Sequence, residues 1–96
     1  MLQNKAKMNK LSLIVKKLFM TKLQFVKRLK ELRIASGISQ ANLCKEIDIG
    51  QRLYEFYESE RYSSIPTHKN LIKLANFFDC SIDYLLCQTD NPNRNK

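Results

Sequence analysis

The stretch from Ile38 to Glu58, I-S-Q-A-N-L-C-K-E-I-D-I-G-Q-R-L-Y-E-F-Y-E, limits what this chain can fold into more than any other. It reads as two short helices with a tight break at Asp48-Ile49-Gly50. Ser39 is a good N-cap for the first, because its hydroxyl can accept from the free N–H groups of the opening turn. Leu43, Cys44 and Ile47 then share one face at helical spacing. Gly50 opens the second helix, whose inward face carries Tyr54 and Tyr57. Gln51, Arg52, Glu55, Phe56 and Ser59 fall outward on a single stripe. Helices this short cannot bury themselves, so the rest of the chain is expected to form their cradle.

That cradle must be helical. Two Gly and two Pro are too few for the turns of an all-β fold. The 96 residues suffice for one domain with a small core. Residues 1–9 are polar and basic. From Leu11, the residues Leu11, Ile14, Val15, Leu18 and Phe19 recur at the spacing of one helix face, with Lys10, Lys16 and Lys17 around it. Met20 is an alternative start, so the first 19 residues are a candidate over-long gene call. Thr21 is placed as the cap of a second helix, Leu23 to Ser36, with Phe25, Val26, Leu29 and Leu32 inward and Lys27, Lys30 and Arg28 on the other side. Gly37 closes it. After the central pair, Arg61 to Pro66 reads as a loop, Thr67 to Phe78 as a helix, and Ser81 as the cap of a last helix, Ile82 to Cys87. The polar tail with Asn91-Pro92 is expected to be disordered. The division is therefore 1–20 as a basic amphipathic extension, 21–87 as the domain and 88–96 as the tail.

Five pieces in order resemble the lambda-repressor-like (Xre/Cro) helix-turn-helix family. Ser39-Gln40, the small Cys44, the turn at Asp48-Ile49-Gly50, then Tyr54, Tyr57 and Glu58 match the central motif. R-L-K-E-L-R at Arg28 to Arg33 is similar to the family's first helix. L-I-K-L-A at Leu71 to Ala75 and S-I-D-Y-L-L at Ser81 to Leu86 are similar to its fourth and fifth. The resemblance implies an all-α, five-helix DNA-binding domain, here with an extra N-terminal helix. The second helix of the motif would enter the major groove by its N-terminal end. Departures stand at Asp48 and Glu60, where the family usually has Gly, and at Phe56, where many relatives carry a polar side chain. Asp tolerates the left-handed backbone the turn needs.

On that reading Gln51 and Arg52 are the candidate base-edge readers, since Gln matches adenine and Arg guanine bidentately. Gln40 and the free N–H groups beside it are a candidate phosphate contact. Gly50 opens the reading helix. Glu55 is either a cytosine contact or solvated. Phe56 either touches a thymine methyl or packs on Tyr62. Arg61 and Lys69 are phosphate candidates, and His68 is expected to be solvated. Glu58 is expected to pair internally with Arg28 or Arg33.

The net charge of +8 points to a polyanion, but its placement tempers that inference. Residues 1–20 hold five Lys and no acid, whereas residues 21–87 balance ten basic side chains against eight acidic ones. DNA binding therefore has to be argued from where charges sit. Cys44, Cys80 and Cys87 form no CxxC pair and no ligand set with His68, which suits a reducing cytosol and packing roles. No stretch approaches the roughly 18 apolar residues of a membrane span. The residues offer no phosphate loop, catalytic triad or metal cluster, so neither an enzyme nor a cofactor is expected. The expected protein is a cytoplasmic, homodimeric, sequence-specific reader of double-stranded DNA, most simply a bacterial or phage repressor. A chain this short leaves promoter occupation as its means of repression. The rival reading is a protein-interaction module of antitoxin type on the same scaffold, favoured by the acidic end of the second helix. A membrane-surface anchor through the first helix is the weakest reading.

Overall fold

The computed structural model describes the backbone of residues 2–62 and 64–94, and the side chains of 13–14, 21–62 and 64–94. The described residues form five helices: α1 Leu2–Ala35, α2 Gln40–Ile47, α3 Gln51–Tyr57, α4 His68–Phe78 and α5 Ile82–Leu85. The architecture is all-α, as the sequence predicts.

The first boundary differs. The sequence predicts a separate N-terminal helix and a cap at Thr21, but α1 runs unbroken for 34 residues. The physical reason lies in what is missing: the glycines stand at 37 and 50 and the prolines at 66 and 92. Without a breaker, extending an existing helix is easier than ending it and nucleating another. The basic amphipathic segment is thus the first half of α1. Ile14 is 53% exposed, although helical register puts it near the face that buries Phe25 and Leu29 completely. The side chains of Leu11, Val15, Leu18 and Phe19, expected on the same face, lie outside the described residues. Gly37 follows α1 at φ 67, a conformation that costs glycine nothing.

The core is the set of inward faces that the periodicity marked. Phe25 and Leu29 of α1 meet Leu43 of α2, Tyr54 of α3, Leu74 of α4 and Leu85 of α5, all fully buried. Ile72 of α4 is exposed. Burial pushes the thiols of Cys44 and Cys80 up, which makes both poor nucleophiles and fits packing roles.

The C-terminal end corrects three expectations. α5 stops at Leu85, and the chain turns through Leu86 to a left-handed Cys87 at φ 59. The tail, expected to be disordered, folds back as far as it is described. The Ser81 N–H donates to the Pro92 carbonyl at 3.0 Å. Arg94 donates to the Cys80 carbonyl at 3.2 Å and also to Asn76. Arg28, expected on the solvent side, lies 3.9 Å from the Tyr84 ring centroid and donates to the Tyr84 and Thr89 carbonyls at 2.8 and 3.1 Å. The Tyr84 carbonyl also accepts from the Cys87 N–H at 3.1 Å, so the guanidinium adds a second donor at the negative end of this four-residue helix.

Candidate nucleic-acid interface

The interface is built from the turn outward. Ser39 caps α2, its hydroxyl accepting from the Asn42 N–H at 3.1 Å. Asp48 ends α2 in the left-handed conformation expected of it, φ 56 and ψ 57. Lys73 of α4 donates to the Asp48 carbonyl at 2.8 Å and holds the turn from behind. Gly50 is the N-cap of α3 with no side-chain cap bond. A Cβ added at Gly50 would meet nothing within 4 Å, so the fold itself does not demand glycine there.

α3 is oriented by its tyrosines. Tyr54 and Tyr57 are buried edge to face with ring centroids 6.2 Å apart. The Tyr57 hydroxyl accepts from Asn70 Nδ2 at 2.9 Å. With that side fixed, Gln51, Arg52 and Glu55 are exposed on the opposite side; Leu53, next to Tyr57 in register, is also exposed, at 43%. Gly50, Arg61 and Lys69 are exposed as well. Phe56 is half-buried, with its ring centroid 4.5 Å from that of Tyr62. Of its two predicted roles, packing on Tyr62 is the one the free protein displays.

Gln40 is less free than expected. Its Nε2 donates to Glu58 Oε1 at 3.1 Å, which leaves one amide N–H and the amide oxygen for anything else. Glu58 is only 4% exposed and pairs with Arg33, one of its two expected partners. Burial pushes the Glu58 carboxyl up. The hydrogen bonds from Arg33, the nearness of the Tyr54 hydroxyl and the hydrogen bond from Gln40 together outweigh that effect and hold the group below the usual carboxylate range. The Tyr54 hydroxyl is buried beside this pair, close enough to feel both charges, yet makes no hydrogen bond of acceptable geometry. Burial therefore dominates its titration and drives it far upward.

The sequence reading missed Lys22. It is 2% exposed, and its Nζ donates to the carbonyls of Phe56, Tyr57 and Ser64 at 3.1, 3.3 and 2.6 Å. A signal for it existed: Lys22 precedes Phe25, Val26 and Leu29 at the i, i+3, i+4, i+7 spacing, so register put it on the buried face. Residue type pointed to solvent, and register was the better guide. Among the described residues there is no cluster of three metal-ligating side chains, and no helix is long and apolar enough to cross a membrane.

A family model described as helix-turn-helix matches residues 29–85, more than half of the chain. The chain belongs to the lambda-repressor-like helix-turn-helix family. Family members with which it aligns carry names of the same kind. It is similar to the uncharacterized HTH-type transcriptional regulator YobD of Bacillus subtilis (strain 168), 37% identical over 68 residues, which cover 71% of this chain and 59% of the relative. It is also similar to the HTH-type transcriptional regulator ImmR of the same strain, 33% identical over 70 residues, covering 73% and 54%. The uncharacterized HTH-type transcriptional regulator YqaE of that strain is 36% identical over 62 residues, covering 65% and 52%. The aligned part of this chain thus spans little more than half the length of these relatives. No solved structure matches it. Lys22 lies outside the residues that the family model matches, whereas Arg33, Gln40 and Glu58 lie within them.

Proposed function

We propose that the protein binds double-stranded DNA sequence-specifically, as a homodimer on two half-sites about one helical turn apart, and represses transcription by occupying a promoter. The observation that carries this reading is the division of α3. Tyr54 and Tyr57 are locked inward, while Gln51 and Arg52 stand exposed in its first turn. Among the described residues, neither side chain enters a hydrogen bond or ion pair. Gln51 would read adenine and Arg52 guanine, and the missing side chain of Gly50 would let the backbone approach a phosphate. The remaining amide N–H of Gln40, with Arg61 and Lys69, would meet the flanking phosphates. Glu55 would accept from a cytosine amine or remain solvated, and Phe56 would pack beside the groove on Tyr62. The working unit is residues 21–87, with 1–20 as a basic extension and 88–96 as a tail.

Selection of bound duplexes from a random pool tests the reading. A palindromic enriched motif is the expected result; no enrichment by folded protein would reject it. A second reading, a protein-interaction module of antitoxin type, draws on a specific observation. The exposed face of α3 and the residues after it also present Leu53, Glu55 and Glu60, an apolar and acidic surface ill suited to phosphate.

A further inference from the structure

Lys22 is a buried ammonium with all three of its donors occupied by backbone carbonyls. Two of the acceptors, Phe56 and Tyr57, belong to the last turn of α3, where carbonyls have no partner inside the helix and the dipole is negative. The third, Ser64, lies in the loop between α3 and α4, past Arg61 and Tyr62. One cation from α1 therefore joins the end of α3 to the middle of that loop. The Phe56–Tyr62 ring contact and the Arg61 N–H bond to Ser59 Oγ at 3.2 Å tie down the stretch between. α3 has only seven residues and would be marginal alone, so its geometry depends on such anchors.

We propose, on the DNA-binding reading above, that Lys22 is a positioning residue: it sets the place of Arg61 relative to α3, so that a phosphate contact and the base contacts of α3 are made together. Lys22 itself is too buried to touch DNA. Its loss would free the loop and smear Arg61 over many positions, none of which matches the phosphate while Gln51 and Arg52 are in the groove.

The test is a double-mutant cycle on the full chain, using a duplex recovered by selection and a folded state checked by circular dichroism and a melt. Lys22→Met is expected to weaken binding roughly tenfold. Arg61→Ala is expected to weaken binding in the native background and to change it hardly at all beside Lys22→Met. Arg52→Ala, at the other end of α3, keeps its full cost in both backgrounds. If Lys22→Met does not fold, Lys22→Gln, uncharged but able to donate, takes its place in the same cycle. A folded Lys22 variant with native affinity, or one in which Arg61→Ala costs as much as before, overturns the proposal while the DNA reading stands. Equal shrinkage of the Arg52 and Arg61 effects shows general loosening and also overturns it. Native protein without DNA binding overturns both.

Discussion

Arg33 grips Glu58 at two points, Nε to Oε2 at 2.7 Å and Nη2 to Oε1 at 3.1 Å. The pair joins the end of α1 to the residue that caps α3. Arg33 also donates to the Ile38 carbonyl at 3.1 Å, so the same guanidinium holds the entry to α2. Lys22 lies on the same stripe of α1, eleven residues or about three turns earlier, and takes the carbonyls at the end of α3. Two cations from one helix face thus fix the C-terminal end of the short helix that presents Gln51 and Arg52.

Removing one partner of the pair should be costly. Arg33→Ala leaves the Glu58 carboxylate buried without its cation, a situation worth about 3–5 kcal/mol. That is a large share of the stability of a small domain. Urea unfolding followed by circular dichroism checks it. A loss below about 1 kcal/mol would show that Glu58 finds water or a neutral form at little cost.

The same pair makes stability fall in acid. The Glu58 carboxyl is held below its ordinary value in the folded protein, so the unfolded chain takes up the proton first as pH drops. Its contribution is full above the ordinary carboxylate range and is lost as pH falls through the lowered folded value. Melting temperatures of native protein and Glu58→Gln should therefore differ most near neutral pH and converge in acid. A constant gap from pH 7 down to pH 3 would place the acid sensitivity elsewhere.

Arg52→Ala should cost about 1–3 kcal/mol on the selected site and relax preference at one base pair. Its basis is the exposed first turn of α3. Competition with a scrambled duplex separates the two roles: equal loss on both sequences would make Arg52 a phosphate contact instead.

Salt reports how many phosphates are met. The candidate cations Lys27, Arg52, Arg61 and Lys69 are exposed, and Glu55 and Glu60 oppose them. About three to five phosphates per subunit are expected to be neutralised, which gives a log–log slope of about −3 to −4.5 per subunit. A chain beginning at Met20 should still melt cooperatively, since Lys22, Phe25, Val26 and Leu29 remain. If its slope is flatter by several units, the five lysines of the extension touch DNA. An unchanged slope assigns them another task.

The sequence by itself determined what is local. Ser39 and Ser81 cap as predicted, and Thr67, read as the first residue of its helix, caps it instead, because a hydroxyl one residue before a helix meets the free N–H groups of its first turn whatever surrounds it. Asp48 turned left-handed where the motif required it, and Tyr54 and Tyr57 went inward on helical period alone. The outward stripe of Gln51, Arg52 and Glu55 was legible for the same reason. Tertiary structure decided which distant groups meet. Nothing in the order of residues distinguished Arg28 from Arg33 as partner to Glu58, because the choice depends on where α3 ends relative to α1. Gln40 turned from a free amide into a donor to Glu58 once α2 and α3 closed. Lys22 is buried because folding brings the carbonyls of Phe56, Tyr57 and Ser64 to one point, and an ammonium can donate to all three at once. Caps and periods are set within a few residues of chain, but the partners of a buried charge are set by the fold.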